Sequence, residues 1–207
     1  MDIVGLLSWS AAALGVTTVA PQLVKLWRTR VTTGVSLRLW QMGVLGSLGW
    51  SAHGFITDNP ALLWPSGLLV VLQALLVTIV SRGRGAPVLP ALAAPAAGGV
   101  VLVVIDLVLG GVAFAAIITF APMLGQLAQL RVMHKAADLF GVARGYLILN
   151  WLCQILWMAY AVPAVDQAMF LSAAVMSALC SLTLGYYVYR RLLLVRAAAI
   201  VPVRVAA

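Results

Sequence analysis

PQLVKLWRTRVTTGVS, residues 21–36, and AQLRVMHKAADLFGVA, residues 128–143, lie 107 positions apart and share one frame. In both, a Gln-Leu pair (Gln22-Leu23, Gln129-Leu130) closes an apolar run, basic residues follow, and a Gly-Val pair (Gly34-Val35, Gly141-Val142) opens the next run. Trp50 and Trp157 then fall deep in that next run, again 107 apart, and about ten positions match between Gln22 to Val77 and their counterparts. The matches are few, but they fall at the same places in successive runs, so the chain reads as two copies of one unit.

The 207 residues are 64% hydrophobic and 9% charged, with 13 Lys and Arg against 5 Asp and no Glu, a formal net charge of +8. A soluble domain carries about a quarter of its residues as charges, so this composition excludes an ordinary soluble globule and implies a polytopic membrane protein. The apolar runs are continuous rather than alternating, and backbone groups in hydrocarbon must be bonded internally, so the spans are helices and not barrel strands. Seven runs are read: 3–27, 36–56, 62–80, 86–105, 108–130, 142–162 and 168–189. The stretch from Ala86 to Leu130 is too long for one crossing at about 1.5 Å per residue. Asp106 with Gly110-Gly111 is the natural place to turn. Leu6 to Leu26 reads as a retained first span rather than a signal peptide, since Met1-Asp2 has no basic n-region.

With seven spans the loops alternate sides, and all thirteen basic residues then fall on one of them: Lys25, Arg28, Arg30 and Arg38; Arg82 and Arg84; Arg131, Lys135 and Arg144; Arg190, Arg191, Arg196 and Arg204. The other side collects Asp2, Asp58, Asp106 and Asp166. Cytoplasmic loops are the basic ones, so the N-terminus is expected outside and the C-terminus in the cytoplasm, in a plasma (inner) membrane. The same sorting removes the nucleic-acid reading that +8 would carry in a soluble chain; the bases mark orientation and lipid contact. Each repeat holds three spans, an odd number, so the single extra span between them makes the repeats parallel. The expected fold is all-α: seven transmembrane helices as two parallel three-helix bundles joined by a linker helix, 3+1+3. The divisions are 1–81 for the first bundle, 82–107 for the linker, 108–192 for the second bundle and 193–207 for a cytoplasmic tail.

Pro21-Gln22-Leu23, then Gly34-Val35-Ser36, Trp50, Pro65-Ser66-Gly67 and Gln73-Ala74-Leu75 resemble the PQ-loop superfamily, and within it the SWEET and SemiSWEET sugar transporters. The resemblance covers nearly the whole chain; the second repeat departs from it, with Ala128-Gln129 for the dipeptide and a proline six positions earlier at Pro122. It implies a sugar pocket lined in each repeat by a Trp on the second helix and an Asn at the start of the third. The Trp positions are kept as Trp50 and Trp157, whereas the Asn positions hold Ser66 and Ala173. It also implies a hinge at Pro21-Gln22, answered in the second bundle by Gln129 and Pro122, and an extracellular gate at Phe55, Asn59 and Asp166.

Read without the family, Trp50 lies about four residues, roughly 6 Å, outward of its span's centre, and Ser66 about five, roughly 7 Å, so the two share a depth. Gly43, Gly46 and Gly49 form a small-residue strip beside Trp50 that permits close helix approach or leaves room for a ligand. Two indoles facing across a pseudo-two-fold axis suit the C–H face of a pyranose. Asn150 is a candidate pocket donor for the missing carboxamides, and Cys153, four residues before Trp157 as Gly46 is before Trp50, shares its face. Gln73 reads as structural. His53 and its match Tyr160 read either as lining of the outer vestibule or, for a lone His near the interface, as a satisfied surface group, the reading favoured for His53. Trp9, Trp27, Trp40, Trp64 and Trp151 read as interfacial anchors. Cys153 and Cys180 read as packing residues rather than a disulfide.

No nucleophile triad, phosphate loop or metal-ligand set is visible, so neither an enzyme nor a cofactor is expected. Without an Asp/His relay in mid-span, proton coupling is disfavoured, although Asp106 and Asp138 at span edges keep it open. The leading expectation is a facilitative uniporter of mono- or disaccharides that alternates access around a midplane site. The alternatives are a PQ-loop carrier of another small polar solute, such as an amino acid or vitamin, and a non-transporting receptor or assembly subunit. The partners are a small solute and the lipid bilayer; a homo-oligomer stays open.

Overall fold

Ser36 begins the second helix as a cap, its Oγ accepting from the backbone N–H of Leu39 at 3.2 Å, which satisfies one of the orphan donors of a first turn. The computed structural model of the chain describes residues 3–58, 60–165 and 167–200. Its helices are α1 (Ile3–Thr29), α2 (Leu37–Ile56), α3 (Pro60–Gly83), α4 (Val88–Leu109), α5 (Gly111–Ile118), α6 (Phe120–Lys135), α7 (Arg144–Ala161) and α8 (Gln167–Ile200). Of these, α4, α5, α6 and α7 start without such a side-chain cap. Left-handed residues end α1 and turn the chain between α2 and α3 and between α7 and α8: Arg30, Asp58 and Val165, with φ of 57°, 49° and 54°. Asp58 and Val165 are themselves 107 apart, so the repeat extends to the backbone conformation of its outer turns.

α5 and α6 are one crossing interrupted at Thr119, which gives seven transmembrane helices. Pro122 is the cause: it has no N–H for the Ile118 carbonyl, and its ring crowds that carbonyl, so the helix restarts with Pro122 in a first turn where the donor is not needed. α1 by contrast runs through Pro21 as one helix. The turn before α5 falls at Gly110, φ 82°. The expected turn at Asp106 is therefore displaced: α4 continues one helical turn further, and Asp106 lies inside it, buried.

Five helices are long and apolar enough to cross a membrane by length and composition: α1, α3, α4, the α5–α6 crossing from Ala113, and α8. α2 and α7 are the less apolar pair, because they carry His53, Gln41, Asn150, Gln154 and several Ser and Gly on faces turned inward. α3 packs between α1 and α2, and α8 packs between α6 and α7. Across the middle, α1 packs on α7 and α2 on α6, so the first helix of each repeat meets the second helix of the other. α4 packs against α2, α3 and α5. At 34 residues α8 spans roughly 51 Å and overruns a hydrocarbon core of about 30 Å.

The main core lies where the two repeats meet beside the 30–36 and 136–143 loops: Val19, Leu26, Val35, Leu39, Met133, Leu139, Val142 and Leu147. Trp40 belongs to it, buried with its ring 4.9 Å from that of Tyr146, so it is a core residue and not an interfacial anchor. Trp9, Trp27 and Trp64 are exposed, as anchors are. A smaller cluster joins Leu102, Phe114 and Ile118 to Trp50.

Candidate functional site

Between the repeats lies a cavity of about 260 Å³. α2 lines it with Met42, Gly43, Gly46, Ser47 and Trp50, and α3 with Leu62, Ser66, Leu69 and Gln73. From the other half come Pro122, Gln154, Trp157, Ser172, Ala173 and Met176. Five of the seven residues read in the sequence as pocket candidates thus meet at one place: Trp50, Trp157, Ser66, Ala173 and Gly46. Both indoles are held in the same way, edge-on to the ring three residues later: Trp50 to His53 at 5.9 Å and Trp157 to Tyr160 at 5.6 Å. Phe114 adds a second edge contact to Trp50 at 5.3 Å. These contacts leave the indoles defined walls of the cavity.

At Gly46 an added Cβ would meet nothing within 4 Å, so this position leaves cavity volume open. Gly43 and Gly49 differ: a Cβ there would strike Gln73 at 2.9 Å and Ile118 at 2.8 Å, so these glycines let α3 and α5 approach. Asn150 and Cys153 do not join the lining. The Asn150 amide donates to Cys180 Sγ at 3.1 Å, bonding α7 to α8, and Cys153 is buried against α1, its Sγ 3.6 Å from the Ala11 carbonyl.

The polar lining comes from elsewhere. Ser47 donates to Gln73 Oε1 at 3.0 Å, which orients the Gln73 carboxamide at the cavity wall. Gln154 lines the cavity and makes no hydrogen bond among the described residues. Ser172 adds a hydroxyl beside Ala173. Gln73 and Gln154 were visible in the sequence as amides within spans, which must bond or face a wet space. Which of the two fates each meets depends on helix rotation, and that the pattern does not encode.

Pro122 also lines the cavity, besides breaking its helix. Pro21 packs on α7, where a Cβ at Gly145 would lie 3.1 Å from its ring. At one end of the molecule the two repeats are joined by a reciprocal clamp. Gln22 Nε2 donates to the Gly141 carbonyl and Gln22 Oε1 accepts from Ala143 N, both at 2.8 Å. Gln129 Nε2 donates to the Gly34 carbonyl and Gln129 Oε1 accepts from Ser36 N, both at 2.8 Å. Every partner is displaced by 107 from its counterpart, so the clamp is self-complementary about a two-fold axis. Lys25 adds a bond to the Val142 carbonyl at 2.8 Å.

The guanidinium of Arg84, just past α3, bonds the Val35 carbonyl, and that of Arg190, within α8, the Ala136 carbonyl at 2.6 Å, so an arginine of each third helix or its exit ties down a clamp loop. Burial pulls the Arg84 guanidinium below its ordinary value, though not out of its charged form at neutral pH. At the other end of the molecule Phe55 is exposed, and Asn59 and Asp166 lie outside the described residues.

One site departs from the expectation of no Asp/His pair. His53 Nδ1 lies 2.7 Å from Asp106 Oδ2, joining α2 to α4, with the Asp106 side chain 3% exposed and that of His53 18%. The His53 ring stacks on Phe114 at 4.8 Å and 12°. Reading Asp106 as a turn residue hid this pair.

Two equivalent three-helix units around a shared cavity, clamped at one end, define a multi-pass membrane transporter. No protein-family model matches the chain. The sugar transporter SemiSWEET of Escherichia coli (strain UMEA 3162-1) is 32% identical over 86 residues, covering 41% of this chain and 97% of that protein. A solved eukaryotic SWEET transporter superimposes with a TM-score of 0.64 at 11% identity, covering 92% of this chain and 99% of that one. The chain belongs to the SWEET/SemiSWEET family of sugar transporters, a non-enzymatic family, and has its fold.

Proposed function

We propose that this chain is a facilitative transporter that passes monosaccharides, and in a wider-open state disaccharides, through the central cavity by alternating access. The observation that carries the reading is that Trp50 and Trp157, from equivalent positions of the two repeats, wall the same cavity. Indole faces hold the C–H face of a sugar ring, and the flanking Ser66, Gln73, Gln154 and Ser172 supply hydroxyl and amide partners for its hydroxyls. At about 260 Å³ the cavity is below the roughly 300–1,000 Å³ of drug-sized ligand sites, which favours one ring over two in this state. We take 1–81 and 108–192 as the two moving bundles, 82–107 as the linker and 193–207 as a tail. The Gln22/Gln129 clamp lies at the basic end, read as cytoplasmic, so this conformation is closed toward the cytoplasm, with the N-terminus outside in a plasma (inner) membrane. Pro21 and the Pro122 break are the bending points of the two bundles, and Phe55, Asn59 and Asp166 border the outer entrance.

Purified protein in liposomes is expected to pass labelled glucose and, more slowly, sucrose, and Trp50→Ala and Trp157→Ala to abolish that flux. Flux no greater than in empty liposomes refutes the sugar reading. A second reading, an amino-acid or vitamin carrier, is favoured by Ser66 and Ala173 standing where the resemblance expects Asn. Thermal stabilisation by such a solute and none by sugars would select it.

A further inference from the structure

Between the cavity and the clamp lies a buried layer of side chains that belongs to neither. On α6, Gln126 is four residues past Pro122 of the cavity and three before Gln129 of the clamp. On α8, Thr183 is midway between Met176 of the cavity wall and Arg190, which ties down a clamp loop. On α7, Tyr146 is three residues past Ala143, a clamp partner, and on α2 Trp40 lies between Ser36 of the clamp and Met42 of the wall. All four side chains are buried. Because α8 packs between α6 and α7, the Gln126 and Tyr146 side chains, which interact, meet on a face of the second bundle. Trp40 of the first bundle covers that face, its ring 4.9 Å from that of Tyr146, so the layer lies where the two bundles part if the clamp opens.

The positions 107 residues before Gln126, Tyr146 and Thr183 hold Val19, Leu39 and Leu76, which are apolar and buried. The scaffold therefore packs at this level without polar groups, and polar groups placed there cost stability wherever their bonds are incomplete. They are incomplete here. The Thr183 hydroxyl donates to the Leu179 carbonyl at 2.8 Å and stands 3.3 Å from Gln126 Oε1, so its single proton serves the amide poorly. Trp40 Nε1 has no hydrogen-bond partner among the described residues. Packing alone accounts for none of these polar atoms. Once the bundles part at the clamp, the same face presents two aromatic rings, an indole N–H, an amide and two hydroxyls along the way from the cavity to the clamp end. Flat rings flanked by donors and acceptors suit a ring bearing hydroxyls.

We infer that Trp40, Gln126, Tyr146 and Thr183 form a second solute station, closed in this conformation, that holds the sugar after the clamp opens. The inference rests on the alternating-access sugar reading and adds to it a site outside the central cavity, built mainly by the second repeat. The test uses the chain carrying Gln22→Ala and Gln129→Ala, which parts the clamp, in lipid nanodiscs. Glucose affinity is measured by titration calorimetry with and without a station substitution, and the distance between spin labels at Arg30 and Ala137 checks that the open fraction is the same in each. Gln126→Leu, which matches the apolar first repeat, should weaken glucose binding about fivefold, and Tyr146→Phe, which keeps the ring against Trp40, about threefold. Side chains that only packed the core would shift the thermal midpoint or the label distance and leave the affinity of the opened protein alone. Glucose affinity unchanged by both substitutions overturns the station and leaves the sugar reading standing. An opened protein that binds no glucose, beside a parent that passes it in liposomes, does the same. Absence of glucose flux in the parent overturns the sugar reading and the station with it.

Discussion

Removing the side chain of Gln22 isolates what the clamp contributes. Gln22 is 1% exposed and makes two 2.8 Å bonds to the backbone of the opposite loop, so Gln22→Ala leaves the Gly141 carbonyl and the Ala143 N–H buried without partners. Each such orphan costs about 1–3 kcal/mol. Water fills part of the gap, and the Lys25 bond to Val142 survives beside it, so we take about 2–4 kcal/mol for the pair. That penalty applies only while the two loops are together, since in a state open at this end water satisfies the same groups. At about 1.4 kcal/mol per tenfold, the closed state loses roughly 30- to 700-fold in population relative to the open one.

The assay is electron-spin distance measurement between labels on cysteines at Arg30 and Ala137, exposed positions 107 apart that flank the clamp. The native Cys153 and Cys180 are buried and react slowly. Gln22→Ala should add a component several Å longer than that of the parent, and Gln129→Ala should give the same component, because the clamp is symmetric. A distribution unchanged in both single variants and in the double variant refutes the claim that these bonds hold this end shut.

Other substitutions separate packing from binding. Gly49→Ala places a Cβ 2.8 Å from Ile118 and should cost about 1–3 kcal/mol, read as a lower thermal midpoint. Gly46→Ala meets nothing within 4 Å, so it should leave the midpoint unchanged or raise it while weakening solute binding by narrowing the cavity. Gln154→Leu removes an amide with no protein partner among the described residues and should lower solute affinity about tenfold at unchanged stability, measured by titration calorimetry. Asn150→Leu should do the reverse, lowering the midpoint through the lost bond to Cys180 and leaving affinity intact.

The equivalences carried by the 107-residue shift were legible because they rest on residues that cannot be exchanged freely. The clamp needs a carboxamide at Gln22 and Gln129, whose donor and acceptor both meet backbone. The walls need a wide flat ring at Trp50 and Trp157. Span edges followed from apolar length, and missed where composition was silent: Asp106 is polar yet helical, because its partner is His53 on α2, fifty-three residues earlier, a pairing that no local pattern records. Trp40 was misplaced for the same reason, since a Trp near a span end is an anchor or a core residue according to whether another helix, here α7 with Tyr146, covers it.

Asn150 and Cys153 show why the pocket was harder to read than the fold. In the first repeat Gly43 on α2 accommodates the long carboxamide of Gln73 on α3; 107 residues later the second helix carries the carboxamide, Asn150, and the third the small partner, Cys180. One interhelical contact is thus made with its large and small members exchanged, which keeps the packing and moves the amide away from the cavity. Gly46 and Cys153 form a second unequal pair. Cys153 lies against Gly15, its Sγ 3.6 Å from where a Cβ would stand, while Gly46 leaves open space on the side of the cavity that Pro122, the counterpart of Gly15, also lines. A thiol fills in one repeat what a hydrogen leaves empty in the other. The cavity is therefore lopsided toward α2 and α6 although the scaffold is two-fold, and a solute bound there meets different groups from the two repeats: Ser47, Ser66 and Gln73 from one, Gln154 and Ser172 from the other. Under the proposed alternating-access reading, a duplicated chain that keeps its clamp symmetric and lets its lining diverge would retain a common opening motion while gaining a site able to orient an asymmetric solute.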